Sequence, residues 1–309
     1  MRNFYHTIII NIHRIIFYLI KSNIWLRHAG KHSVEERYAL ANEMVTCMNK
    51  SSGYKTIAYG YDNLPKEGGY MLYPNHQGKY DVLGIFNTHK SPISFVMDEK
   101  RSHLVLVSEF LRLVDGKTIS LNDPRHTITV FNEMAEELKQ GKKFILFPEG
   151  GYKENNGNVV TPFKAGSFKV AQMSKVPIVP VALIDSYKVY NSDHVGPVTT
   201  YVYYLDPISY DEYKGMRSHE IAAMVEKIIK DKIAEHLSNN KENYPEVVMN
   251  KLFAVFAAVI LIAGVIVFTH GELNKDSEDE PETYRWMRIL GVILVIIAIA
   301  CAIICKSMF

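Results

Sequence analysis

The stretch Pro74 to Asp81, PNHQGKYD, sets a histidine and an aspartate five positions apart around Gly78, directly after the apolar run GYMLY. An imidazole titrates near neutrality, at about pH 6.5, so it can take a proton from a nucleophile and give it back. To serve as a base it needs its other ring nitrogen held in one tautomer, and a carboxylate accepting a hydrogen bond there does this. On a continuous helix, residues five apart point about 140° from each other. His76 and Asp81 can therefore meet if the chain turns at Gln77 and Gly78 and a helix begins near Lys79. The spacing alone also fits a structural turn with an Asx-type cap, or two ligands of a metal site. The metal alternative lacks further ligands, because the chain has no H-x-H, no H-E-x-x-H and no paired cysteines at metal spacing.

A second carboxylate stands at a strand end in FPEGG, Phe147 to Gly151. Glu149 follows the buried-looking run KFILF and precedes Gly150 and Gly151, where backbone N–H groups can be exposed. Downstream, TPFKAGSFKVA carries Lys164 into a helical run, and VPIVPVAL reads as a buried strand. Taken singly, Glu149 fits a helix cap and Lys164 a solvated lysine.

In this order the segments resemble the glycerophospholipid acyltransferase family, best known from the 1-acylglycerol-3-phosphate acyltransferases. The family's N-H-x4-D is matched by Asn75, His76 and Asp81, and its F-P-E-G by Phe147, Pro148, Glu149 and Gly150. F-K-x-G is matched by Phe163, Lys164 and Gly166, and V-P-I-x-P-V by Val176, Pro177, Ile178, Pro180 and Val181. The resemblance runs from Tyr70 to Leu183. It implies an O-acyltransferase in which His76 is the general base and Asp81 orients it. The acyl donor would be a thioester, acyl-CoA or acyl carrier protein, and the expected acceptor 1-acylglycerol-3-phosphate, giving phosphatidic acid. Asn75, Glu149, Gly150, Gly151, Lys164 and Gly166 are the implied substrate-binding positions. No bound cofactor, metal or nucleic acid is expected.

The match is incomplete where the family usually carries arginines. Its second motif corresponds to DGKTISLNDPRHT, in which Arg125 is displaced by a few positions, and its third often continues with arginines where Tyr152 and Lys153 stand. Such arginines suit a phosphate because the guanidinium binds it bidentately. The expectation is that Arg125, helped by Lys153 or Lys164, meets the acceptor phosphate. Other lysolipid or glycerolipid acceptors, a thioester or lysolipid hydrolase, and a membrane scaffold built on an inactive domain are the competing readings. No G-x-S-x-G supplies a nucleophile, and Cys47 lies far from the motifs.

These residues need a scaffold, and the 309-residue chain with 48% apolar content can build one. Residues 33–245 alternate strand-like runs (GYMLYP, ISFVMDE, KTISL, KFILFPE, VPIVPVALID, TTYVYYL) with helical ones, the pattern of an α/β domain with a mixed sheet and surrounding helices. Gly141 after KQ fits a helix end. Residues 1–32 read as an amphipathic helix whose polar stripe is Thr7, Asn11, Arg14, Tyr18 and Lys21, with Trp25 as an interfacial anchor. Five basic residues precede the first acid, Glu35, within a net charge of +2, which suits an anionic membrane surface. No small-residue cleavage site marks a signal peptide.

Residues 246–309 contain two uncharged runs, about 252–269 and 289–305, joined by a linker with six acidic residues. They read as a transmembrane hairpin, since each approaches the ~20 residues that span a bilayer core. An integral membrane protein with its catalytic domain on the cytoplasmic face follows from that reading. With three cysteines, two inside the last apolar run, no disulfide framework is expected.

Overall fold

The protein is described here from a computed structural model, covering residues 2–120, 122–153, 156–192, 194, 196–240, 245–273 and 287–299. Strands β1 (Tyr54–Tyr59), β2 (Tyr70–Pro74), β3 (Ser94–Asp98), β4 (Lys117–Ile119), β5 (Lys143–Ile145), β6 (Ile178–Ile184) and β7 (Val198–Tyr204) form one sheet in the order β1-β7-β6-β2-β5-β3-β4. All pairings are parallel except β6 with β7. The helices are α1 (Arg2–Arg27), α2 (Val34–Ser52), α3 (Asp81–Thr88), α4 (Glu99–Ser102), α5 (Val107–Leu113), α6 (Pro124–Lys139), α7 (Lys169–Ser174), α8 (Tyr187–Tyr190), α9 (Tyr210–Tyr213), α10 (Ser218–Asn239) and α11 (Pro245–Leu273). The mixed sheet flanked by helices is the architecture expected from the sequence.

The central strands explain why their sequences lack polar alternation. Every residue of YMLYP in β2 and IVPVALI in β6 is buried, because helices cover both faces of a parallel sheet. The strand missed by sequence reasoning is β1, YKTIAY, whose Lys55 and Tyr59 are exposed at the sheet edge beside β7. Helix ends follow local chemistry. Ser33 and Glu36 form a capping box on α2, Asp123 caps α6 with Pro124 in its first turn, and Gly141 turns the chain at φ 94° after it.

The connections decide where a ligand can sit. From β2 the chain crosses through α3 to β3 on one side, and from the neighbouring β5 it crosses through α7 to β6 on the other. Adjacent strands whose connections leave in opposite directions open a crevice at their carboxyl ends. His76 follows β2 and Glu149 follows β5, so the two motifs flank this crevice.

Residues 1–234 form one compact unit, and α1 packs within it against α2, α5 and α8. Its polar stripe faces into the domain. Asn3, Thr7, Asn11, Tyr18 and Ser22 are buried, whereas Ile9, Ile12, Ile16, Ile20 and Ile24 are each at least half exposed. The domain supplies partners for the polar atoms. Thr7 Oγ1 lies 2.9 Å from Tyr54 Oη, Ser51 donates to Asn11 Oδ1 at 2.6 Å, and Tyr18 donates to Glu43 at 3.0 Å. Buried polar groups need such partners, so the polar face turns inward and the isoleucines outward.

Residues 235–309 form a second unit. It contains α11 and helical residues 287–299, which approach closely where Gly264 would bring a Cβ to 3.1 Å from Gly291 O. Among the described residues no helix is long and apolar enough to cross a membrane, so the two expected spans are not supported. Part of each lies outside the description, the side chains of 252–257 and all of 300–305.

His89, after α3, ties the helix to the sheet. Tyr70 Oη donates to its Nε2 at 2.7 Å, and its Nδ1–H donates to Ser91 O at 2.7 Å. Burial lowers its pKa to about 4. A base with a depressed folded pKa contributes stability that is complete above its unfolded value near 6.5 and is lost as pH falls toward 4. The loss should reach about 3 kcal/mol. Denaturant melts between pH 7 and 4 should show this decline, and His89→Gln should flatten it. Parallel curves for both proteins would refute the assignment.

Candidate active site

β2 ends in Pro74, and the next residue fixes the loop. Asn75 donates from Nδ2 to Leu183 O (3.0 Å) and accepts from Leu183 N–H at Oδ1 (2.7 Å), so its amide pairs with β6 as another strand would. The chain then turns through Gln77 and Gly78, and α3 starts at Asp81, two residues later than expected. A side chain at Gly78 would collide with Asn191 Oδ1, which accepts from Lys79 N–H.

The turn brings His76 and Asp81 together. Asp81 is fully buried, and its Oδ2 accepts from His76 Nδ1–H at 2.6 Å, Gln77 N–H at 2.5 Å and Gly78 N–H at 2.8 Å. Its Oδ1 accepts from the Ser186 hydroxyl. A carboxylate that only accepts puts the imidazole proton on Nδ1 and leaves the Nε2 lone pair free. The ring stacks on Phe147 with centroids 4.1 Å apart and meets the edge of Tyr152 at 4.8 Å, with 16% of its side chain exposed. A base held in one tautomer, flanked by aromatic walls and open at Nε2 can abstract a proton from a hydroxyl brought to the crevice.

Glu149 is also buried, and it works inward. Oε1 accepts from the His76 backbone N–H at 2.7 Å, while Oε2 accepts from Thr161 N–H at 3.0 Å and from the Thr161 hydroxyl. Burial raises its carboxyl above the usual range, opposed by these hydrogen bonds. The side chain thus fastens the loop after β5 to the loop after β2. Gly150 has φ 73°, and a side chain there would collide with the end of Lys164, whose amine lies against the bare Cα. Gly151, at φ 150°, and Gly166, in the turn Ala165–Phe168, face open space. Lys153 is exposed.

Arg125 is exposed in the first turn of α6, which follows β4, three strands from β2 in the sheet order. The arginine held at the crevice is Arg101 of α4, after β3. Its Nη1 donates to Tyr152 Oη at 3.0 Å, and Tyr152 lies edge-on to His76. Sequence reasoning passed over Arg101, Tyr152, Gln77, Thr161 and Ser186. The signal for Arg101 was its place just past the carboxyl end of a parallel strand, where ligands of such sheets bind.

Among the described residues no group of His, Cys, Asp or Glu is arranged to hold a metal ion. A family model described as Acyltransferase matches residues 55–184, the segment that contains both loops and the strands beneath them. Residues 55–184 therefore resemble the acyltransferase family that the motifs imply. The chain is 24% identical over 168 residues to the 1-acyl-sn-glycerol-3-phosphate acyltransferase of Saccharomyces cerevisiae, covering 54% of this chain and 55% of the yeast protein. It is 27% identical over 169 residues to the protein of that name from Escherichia coli, covering 54% and 68%. The chain spans about half the length of several curated relatives it matches. Its fold is that of the crystal structure of the 1-acyl-sn-glycerophosphate acyltransferase from Thermotoga maritima, with TM-score 0.56 and 20% identity over 74% of this chain and 97% of that one.

Proposed function

We propose that this protein moves an acyl group from a thioester, acyl-CoA or acyl carrier protein, to the free hydroxyl of 1-acylglycerol-3-phosphate, giving phosphatidic acid. The observation that carries the reading is the His76–Asp81 pair, with the His76 side chain partly exposed in the loop after β2, beside β5. The names of the relatives support the choice of acceptor. His76 Nε2 takes the hydroxyl proton as the oxygen attacks the thioester carbonyl. The new C–O bond forms, the C–S bond breaks, and the proton passes from the imidazolium to the departing thiolate. Asp81 holds the ring and stabilises the imidazolium between these steps. The reaction balances without an acyl-enzyme or a bound cofactor.

Arg101 is the better candidate than Arg125 for the acceptor phosphate, because it is joined through Tyr152 to the wall of His76. Lys164, over Gly150, is the second cation on this side. The exposed isoleucine stripe of α1 supports attachment to a lipid surface, where the acceptor resides. Cytoplasmic thioesters would then be met on the cytoplasmic face.

The test compares lysophosphatidic acid with monoacylglycerol, which offers the same hydroxyl without the phosphate, under one acyl-CoA. Transfer to the phosphorylated acceptor should be at least tenfold more efficient. Arg101→Ala should raise the KM for that acceptor while sparing the KM for acyl-CoA, as expected when binding energy for one substrate is removed. Equal use of both acceptors, or equal effects on both KM values, would contradict the assignment.

A further inference from the structure

We propose that Ser186 is a positioning residue that sets the basicity of His76 through Asp81. The inference rests on the reading of His76 as the base, but the geometry behind it is independent of the reaction. Asp81 is fully buried, and its two oxygens are served differently. Oδ2 faces His76 and two backbone N–H groups, while the donor to Oδ1 is the Ser186 hydroxyl, from the turn after β6, more than a hundred residues along the chain. Ser186 is itself buried and held in place. Its N–H donates to Gln77 Oε1 at 3.0 Å, and its hydroxyl lies 2.9 Å from the same atom.

The turn that delivers it is built for the purpose. Asp185, just before it, has φ 63°, a left-handed conformation that few residues other than glycine adopt. Asn158 pins that residue from both sides, accepting from Asp185 N–H at 2.9 Å and donating to its Oδ1 at 3.0 Å. Asn158 Oδ1 also accepts from Gln77 Nε2 at 2.8 Å, so one network links β6, the loop after β5 and the catalytic turn.

A hydrogen bond to a carboxylate withdraws charge from it and lowers its basicity. With Ser186 donating to Oδ1, Oδ2 pulls less strongly on the imidazole proton, and the imidazolium is less favoured. Removing the hydroxyl should make Asp81 more basic and raise the pH at which His76 titrates. The other charged or titratable groups facing the pair are unchanged by the substitution. They are Glu149 at the His76 backbone, Tyr152 with Arg101 behind it, Lys164 over Gly150, and the Asp185–Lys188 ion pair of 3.2 Å.

The experiment is an NMR titration of the full-length protein, with the His76 ring signal identified by its loss in His76→Ala. In Ser186→Ala the midpoint should rise by roughly half a pH unit or more, and in Ser186→Thr, which keeps the hydroxyl, it should return toward wild type. Ser186→Cys, a weaker donor, should fall between and serves if the alanine variant does not fold. The acid limb of kcat/KM for acyl transfer should move with the midpoint. An unmoved or lowered midpoint in a folded variant would overturn the role of Ser186. A raised midpoint with no matching shift of the activity limb would uphold the coupling and remove His76 from the reaction.

Discussion

Replacing His76 by alanine leaves a folded protein whose acyl transfer falls by roughly 10²- to 10⁴-fold, the range for removal of a general base. The fold should survive, because the ring is partly exposed and its backbone N–H keeps its bond to Glu149. Phe147 loses a stacking partner, a small loss beside the loss of the base. Asp81→Asn should also reduce turnover, through a different route. An amide in place of the carboxylate sets an NH2 group against one of two clusters of donors, either His76 with the Gln77 and Gly78 N–H groups or the Ser186 hydroxyl. The asparagine variant should therefore lose stability as well as rate, whereas His76→Ala should melt near the wild type. Initial rates and thermal melts on both variants check this, and near-normal turnover in His76→Ala would refute the role of the base.

Glu149→Gln should lower turnover by about ten- to a hundredfold and destabilise the fold by roughly 1 to 3 kcal/mol, the cost of a buried donor left without an acceptor. The glutamine carbonyl can still accept from His76 N–H, but its NH2 then faces Thr161 N–H and hydroxyl, which both donate to the present carboxylate. The pH dependence carries a second signature. Burial raises the carboxyl of Glu149, so the folded state holds its proton to higher pH than the unfolded chain does. Its contribution to stability is complete below the unfolded value near 4.5 and declines as pH rises through the raised folded value. The glutamine variant should lack that decline. Melts of the two proteins from pH 4 to 7 and steady-state rates check both parts. Unchanged activity with a changed melt would make Glu149 a structural clamp with no bearing on His76.

The parts of the site carried by local sequence were legible. His76, Asp81 and Glu149 announce themselves because a turn and a strand end need particular residues at fixed offsets. Gly78 and Gly150 are glycines because Asn191 and Lys164 occupy the space a side chain would need. Ser186 and Thr161 were invisible, since a lone hydroxyl has no periodicity and gains its meaning only when the crossover from β5 to β6 brings distant segments beside β2. Arg101 was overlooked because DEKR reads as an ordinary solvated run until β3 is known to end at the crevice. Arg125 attracted attention by type, and the fold sets it in the first turn of α6, after β4. The facing of α1 was not legible in its own residues. A polar stripe marks a distinct face, but whether that face meets water or a polar surface of the protein depends on Tyr54, Ser51 and Glu43, which only the fold supplies.

The most direct measurement of the central claim follows the acyl group itself. Purified protein is mixed with acyl-CoA labelled in the acyl chain, with and without lysophosphatidic acid, and the label is traced after rapid quenching. The expected result is label appearing in phosphatidic acid in step with free CoA thiol, only when the acceptor is present, with none attached to protein at any time. Label released as free fatty acid, or retained covalently on the chain before reaching lipid, would contradict direct transfer with His76 as the base.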